Sequence, residues 1–181
     1  MANMRQDAQT ALLCKQPWRY DPEGQCEIAF EQNGGGYLIC RSEFAVFVCA
    51  ALEWTWLGPE ADNNSTPANS AFQFGLEIGL HREVPPNFKT HPRKNEVHLN
   101  DIAFQARRFV VTLEEGVFWH PAVLEPEVAP AWIPKCTSRI TFDRSPCPPP
   151  EHWRSTKGGP RANQFWDMKE FCSGEIPRRR G

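Results

Sequence analysis

The sequence predicts a mainly β protein, a single antiparallel β-barrel with short peripheral helices and Pro-rich loops. Short runs in which apolar and polar residues alternate, such as Cys26–Glu31 and Phe72–His81, have the period of half-buried strands. Gly- and Pro-marked turns separate these runs, and no strand–helix–strand rhythm is present. That pattern points away from a parallel sheet and towards a sandwich or barrel, of which the closed barrel is the expectation adopted. At 181 residues the chain has the usual size of one domain and is long enough to bury a core.

Residues 1–15 read as an N-terminal extension or short helix, residues 16–144 as the barrel, and residues 145–181 as a Pro-rich tail packing on it. Asp21-Pro22 and Gly24 mark a turn after Trp18. In the strand that follows, Cys26, Ile28 and Phe30 alternate with Glu27, Ala29 and Glu31. Asn33-Gly34-Gly35-Gly36 supplies the positive-φ positions of a tight hairpin, with Tyr37–Ser42 as the return strand. Phe44–Leu57 reads as a long buried strand ending before Gly58-Pro59. A helix is the alternative there, opposed by the β-branched and aromatic content and by the alternation of Leu52, Trp54 and Trp56.

Gly58–Ser70 is a polar loop. Phe72, Phe74, Leu76, Ile78 and Leu80 then alternate with Gln73, Gly75, Glu77, Gly79 and His81, and the two glycines suggest strong curvature. Past a loop at Pro85–Asn95, Phe109, Val111 and Leu113 repeat the alternation, and Glu114-Glu115-Gly116 reads as a turn into Val117–His120. Pro121–Pro134 leads to a last strand, Ser138–Arg144. A short helix around Asn163–Phe171 would pack Phe165, Trp166 and Phe171 back on the body.

Twenty basic and 22 acidic residues leave a formal net charge of -2, which gives no electrostatic reason to expect nucleic acid or an anionic membrane as partner. Seven Trp and twelve Phe suit instead a bulky apolar small molecule, and the expected partner is a hydrophobic substrate or ligand; a homodimer is compatible with the sequence. Arg5, Gln6, Asp7 and Gln9 interrupt any apolar leader, so no signal peptide is read and a cytoplasmic protein is expected. No run approaches the ~18 apolar residues of a membrane span. Two overlapping glycosylation sequons in Asn63-Asn64-Ser65-Thr66 read as a polar loop. The seven cysteines form no C-x-x-C pair, and the histidines show no metal-ligand spacing, so packing thiols, no metal and no cofactor are expected.

Trp18 ahead of the first strand, followed by a meander of hairpins, resembles the lipocalin-like (calycin) small β-barrels. In that family such a Trp plugs one end of the barrel, two residues after a Gly; Gln16 stands at that place here. The resemblance covers roughly residues 16–144 and implies an apolar cavity with one open mouth. It also implies that carriers and cofactor-free cyclases, isomerases and Diels–Alderases are the classes to weigh.

Within that frame the arginines at strand ends attract attention. Arg82 continues the apolar parity of Phe72–Leu80, Arg107 precedes Phe109 in phase, and Arg144 follows Ile140 and Phe142. Together with Arg41 they either clamp a carboxylate, enolate or carbonyl of a greasy ligand or reach out to solvent. Glu53 between Leu52 and Trp54 is a candidate buried carboxylate for proton transfer, or else points outward by alternation. His120 is the second candidate proton-transfer group, with a structural role at a strand end as the alternative. Glu77 and His81 share one strand face but stand roughly 13 Å apart, too far to bond directly. Trp54, Trp56, Phe74, Trp119 and Phe142 form either an aromatic cage or ordinary core.

The expected function is a cofactor-independent cyclase or isomerase of natural-product biosynthesis, a Diels–Alderase-like pericyclase. Glu53, His120 and Arg144 would be its catalytic groups, and Arg41, Arg82, Arg107 and the aromatic set would bind its substrate. No triad is needed for such work, because holding a reactive pose and donating one or two hydrogen bonds to a carbonyl lowers a cyclisation barrier. The alternative is a non-catalytic carrier of a lipid or hydrophobic small molecule in the same barrel.

Overall fold

The alternation of Cys26, Ile28 and Phe30 becomes strand β2 (Cys26–Phe30), which pairs with β3 (Gly35–Arg41) in a register running from Cys26 opposite Cys40 to Phe30 opposite Gly36. The computed structural model to which these strands belong describes residues 2–60 and 71–176. The sequon tract at 63–66 and the basic end at 178–180 lie outside the described residues. Before β2 come helix α1 (Ala2–Leu13) and a two-residue strand, β1 (Trp18–Arg19). After β3 come β4 (Val46–Pro59), β5 (Ala71–Leu80), helix α2 (Lys94–His98), β6 (Arg107–Phe118), β7 (Cys136–Phe142), helix α3 (Gly159–Asn163) and β8 (Glu170–Glu175).

Every strand is antiparallel to the next, and β8 pairs with both β7 and β1, so eight strands close in a ring. The protein is mainly β and barrel-like. No described helix is long and apolar enough to cross a membrane.

Cross-strand partners share a face, so the registers trace the inner surface of the ring. Ile28, Leu38 and Ala50 form one row. Trp56, Leu76 and Phe109 form another; Phe74, Val111 and Phe142 a third; Phe72, Leu113, Ile140 and Phe171 a fourth. Phe74, Val111, Ile140 and Phe171 are fully buried, and Phe142 meets Phe109 and Phe171 edge-on at 5.8 and 6.0 Å. Eight strands enclose a space just wide enough for side chains to fill. The open-mouthed apolar cavity expected from the sequence is therefore replaced, within these rows, by packed core.

Both ends are covered. At one, Trp18 is fully buried and its indole donates to the Leu13 carbonyl at the end of α1 (2.9 Å). At the other, Cys147, Trp153, Phe165 and Met168 of the segment between β7 and β8 join the core, with Leu99 and Ala103 beside them. Asn95 of α2 fastens this cover to the ring: its amide accepts from Cys49 N–H (2.8 Å) and donates to Cys49 C=O (2.9 Å), completing the pairing of a strand residue from the side.

Three sequence expectations need correction. The strand limit at residue 144 falls inside the ring, because Glu170–Glu175 lies between β7 and β1 where a tail was expected. The helix expected near Asn163–Phe171 stops at Asn163, where Gln164 takes a left-handed backbone (φ 47°) and turns the chain into Phe165–Asp167 and then β8. Glu114-Glu115-Gly116 is not a turn either. Glu114 faces Arg139 across the β6–β7 ladder and bonds it at 2.8 and 2.9 Å, which satisfies the carboxylate inside a strand; the irregularity comes as a register shift between Glu115 and Phe118.

At the first hairpin the turn is made by residues 31–34, and Gly35 and Gly36 belong to β3. Gly36 is required there: its φ is +158°, and a Cβ on it would lie 2.0 Å from the Ala29 carbonyl oxygen.

If β8 closes the ring energetically as well as geometrically, Phe171→Ala should cost about 3–5 kcal/mol of unfolding free energy, as loss of a buried ring does. Phe44→Ala, whose ring is 90% exposed, should cost within about 0.5 kcal/mol. Denaturant titration reads both, and similar small losses would show that β8 contributes little to stability.

Candidate functional site

Arg107 opens β6 opposite Ile78, on the inner face of the ring and at the end covered by the segment after β7. Its parity aims the side chain inward, and the cover supplies acceptors: Nη2 donates to Pro146 C=O at 2.5 Å and Nη1 to Cys147 C=O at 3.4 Å. The guanidinium stands 5.1 Å from the centroid of Phe109. Burial pushes its pKa down from the ordinary arginine value, with Arg144 adding repulsion. Its Nε is buried without a partner.

Arg144, just past β7, is exposed and donates to Arg108 C=O, with its guanidinium 5.4 Å from Phe109. Two cations thus approach one buried ring at the ring's end. They border a cavity of about 680 Å³. Ile102, Ala106, Pro149 and Trp166 give it an apolar wall; Glu77, Arg108 and Glu151 complete its charges, and His152 lines it as well. Arg108 is held by Glu77 at 3.0 Å, whereas Arg107 and Arg144 form no ion pair among the described residues. Three arginines against two carboxylates leave the lining with a formal excess of one positive charge.

His152 sits on a 3-10 turn, Pro150–His152. Burial, followed by the Arg107 charge, lowers its pKa, with Glu151 opposing. The imidazole is consequently neutral at pH 7, and its Nδ1 is buried without a hydrogen-bond partner. The cavity can thus offer an anionic or polarised oxygen two guanidiniums and an adjacent neutral base, against an apolar wall.

The other candidates lie elsewhere. His120 is 1% exposed at the opposite end of the ring, with Nε2 3.4 Å from Cys136 Sγ and 3.9 Å from a Glu175 carboxylate oxygen. The neighbouring Cys172 thiol, then His120, hold Cys136 down to about 6 against the opposing effect of burial. Burial by itself would lower the imidazole, but Cys136 outweighs it and the His120 pKa is raised. His120 and Cys172 border a separate cavity of about 280 Å³ with Arg19 and Glu175.

Glu53 is not a buried carboxylate. Its side chain is 73% exposed, on the outward parity of β4, 3.8 Å from His81. Arg82 leaves the apolar parity after β5 ends; it pairs with Asp101 at 3.0 Å and lies over Phe104. Arg41 spends its donors on Gly24 C=O (2.9 Å) and Glu23 C=O (2.7 Å), tying down the turn before β2.

Four of the five aromatics are ordinary core of the ring, and Trp119 stands apart from them. Trp56 stacks on Phe74 at 4.3 Å, Trp54 meets Phe30 and donates to Glu31 C=O, Phe142 belongs to the core, and Trp119 lies under Lys135. Of the sequence candidates, only Arg107 and Arg144 converge on the large cavity. His152 and Trp166 were missed because they lie in the segment read as a tail, where no periodicity points at the ring.

A third grouping was invisible in sequence spacing. Cys26, Cys40 and Cys147 place their sulfurs within 4.8 Å of one another, all buried. Burial raises the Cys26 and Cys40 pKa values, while thiol hydrogen bonds from both hold Cys147 well below its ordinary value. No protein-family model matches the chain, and neither a curated protein nor a solved structure matches it.

The Cys136–His120 contact has a spectroscopic consequence. Thiolate absorbance should titrate near pH 6 in the native protein, and this step should vanish in Cys136→Ser and move upward in His120→Asn. A titration curve unchanged by either substitution would remove the pairing.

Proposed function

We propose that the protein binds a small amphipathic molecule, an apolar body bearing one carboxylate, enolate or similarly polarised oxygen, in the cavity where the ring meets its cover. The observation that carries this reading is Arg107, a desolvated guanidinium on an inner-face position that lines the cavity with no carboxylate of its own among the described residues. Taking a charge out of water is costly unless something repays it, and an anionic ligand oxygen between Arg107 and Arg144 would do so with charge-assisted hydrogen bonds. A cavity of about 680 Å³ lies within the usual range for small-molecule sites. The next-neighbour strand order from β1 to β8 and the buried Trp18 support a lipocalin-like reading of the ring. In this protein the ligand would sit at the ring's end instead of its centre.

A cofactor-independent isomerase or cyclase is the second reading, favoured by one observation: the imidazole of His152, its pKa lowered by burial, lines the cavity beside the two arginines. Guanidiniums that polarise a carbonyl, with a neutral imidazole positioned to take a proton, would suit an enolisation or a carbonyl-activated ring closure. In this reading His152 takes the proton-transfer role expected of Glu53 and His120, and Arg144 keeps its clamping role beside Arg107.

Titration with matched pairs of hydrophobic carboxylates and their methyl esters, followed by the part of the tryptophan fluorescence change that Trp166→Phe removes, tests binding. The acids should bind and the esters should bind at least about tenfold more weakly. Arg107→Gln should remove about 1.5–3 kcal/mol of the acid's affinity, the range for hydrogen bonds to charged groups, while Glu53→Gln changes nothing. Equal affinity for acid and ester would sink the anion-binding reading. Turnover of a bound enolisable ketone, lost in His152→Gln with binding intact, would move the assignment from carrier to isomerase.

The same cavity has a defined pH response. A bound anion favours the protonated imidazole, so it raises the His152 pKa from a value now below 6.5. Affinity for a permanently anionic sulfonate probe should therefore strengthen as pH falls below about 6.5, and the dependence should flatten in His152→Gln. Weakening towards acid would contradict the placement of His152.

A further inference from the structure

Beside the arginine cavity lie three thiols for which ligand binding has no use. Cys26 and Cys40 face each other across β2 and β3 on the inner side of the ring. Cys147 comes down from the covering segment, its sulfur 3.3 Å from that of Cys26 and 3.5 Å from that of Cys40. All three side chains are at most 1% exposed. We infer that Cys26, Cys40 and Cys147 form a three-coordinate thiolate site for a soft monovalent metal ion, Cu(I).

The donor set selects the ion. Thiolates favour Cu(I), Zn(II) and iron–sulfur clusters over hard cations. Structural Zn(II) takes four ligands, and no histidine or carboxylate among the described residues joins this group as a fourth. Three sulfurs alone suit trigonal Cu(I).

With metal–sulfur bonds of about 2.3 Å, a trigonal ion needs sulfur–sulfur edges of about 4 Å. The present separations of 3.3 and 3.5 Å require only a small spreading, within the 4.8 Å envelope that already contains all three sulfurs. Binding forms three Cu–S bonds, and each sulfur that is still protonated gives up its proton to solvent, as thiolate ligation requires. The resulting centre carries two net negative charges. Arg107, bonded to the Cys147 carbonyl, stands next to it as a compensating cation. Cys147 also lines the 680 Å³ cavity, which gives an ion a route to sulfurs that are otherwise enclosed.

The test uses the full chain under anaerobic, reducing conditions, with Cu(I) itself as probe and a chromophoric Cu(I) chelator as competitor. One equivalent should be retained, with an X-ray absorption edge of three-coordinate Cu(I)–sulfur. Cys147→Ser should weaken retention by more than about a hundredfold, beyond the loss that an outer contact brings. Cys26→Ser and Cys40→Ser should each do the same, while Cys49→Ser retains the ion.

Circular dichroism on each variant establishes that the ring is folded; since Cys147 lies outside the strands, it is the decisive substitution. Failure to retain Cu(I), retention by a folded Cys147→Ser chain, or a two-coordinate edge would overturn the inference. So would a Cys26–Cys147 disulfide that persists in excess reductant, because it removes two of the three ligands. None of these outcomes depends on whether the acid and ester pairs bind, so the two proposals fail separately.

Discussion

Closure of the ring by β8 is the constraint from which the remaining arrangement follows. β1 offers only two residues, Trp18 and Arg19, and β8 meets it through a single residue pair, Arg19 with Cys172. So short a seam cannot hold by backbone pairing alone. It holds because Trp18 and Phe171, adjacent to that pair in the chain, are both fully buried on the inner side. A tight turn could join the adjacent strands β7 and β8, yet the chain between them crosses one end of the ring, and the crossing seals that end with Trp153, Phe165 and Met168. The same crossing brings Cys147 to Cys26 and Cys40, Pro146 to Arg107, and His152 and Trp166 to the cavity. Site and seam are products of one excursion.

The two ends of the ring treat charge differently. At the end near α1, the charges pair with each other: Arg19 bonds Glu27 at 2.6 Å and approaches Glu175 at 3.5 Å, and His120 lies between Cys136 and Glu175. At the covered end, Arg107 is opposed by carbonyl oxygens and an aromatic face instead of a carboxylate. Carbonyl dipoles and a ring quadrupole stabilise a guanidinium but do not neutralise it. A core that needed only to be stable would be served better by an apolar residue at this position, since replacing buried charge with well-packed hydrophobic groups is often neutral or favourable. The retained positive field is what distinguishes this end as a place where something negative can bind, whether a ligand oxygen in the cavity or a thiolate-bound ion beneath it.

The legible part of the fold was the part governed by local period. Alternation located β2, β5 and β7 to within a few residues, and the first half of β6, because each has one face on the core and the polar side chains on the other face interrupt the apolar run. β8 escaped because its sequence, Glu170-Phe171-Cys172-Ser173-Gly174-Glu175, has a single large apolar residue and is placed by non-local pairing, mainly with β7 across the long covering segment and at one pair with β1. Glu114-Glu115-Gly116 misled for the complementary reason: its turn-like composition is satisfied by a cross-strand arginine that only the register supplies. At the site, the parity of Arg107 and the position of Arg144 were readable from the strand ends. The destination of Glu53 followed from alternation as well, since Leu52 and Trp54 on either side take the inward positions.

What no spacing rule could reach is contact between inner-face positions on opposite sides of a long chain. Cys26 and Cys147 are separated by 121 positions, yet their sulfurs are 3.3 Å apart. Cys26 and Cys40 are a cross-strand pair whose proximity depends on a hairpin register, and that register depends in turn on Gly36 allowing its neighbour strand to approach. A one-residue slip would turn Cys40 outward and replace it on the inner face with Ile39 or Arg41. The thiol cluster is thus a product of strand register, and so is the cavity above it: shifting β6 by one residue would turn both Arg107 and Phe109 to solvent and bring Arg108, now held by Glu77, to the inner face. Register, more than composition, is what makes this end of the ring chemically different from the other.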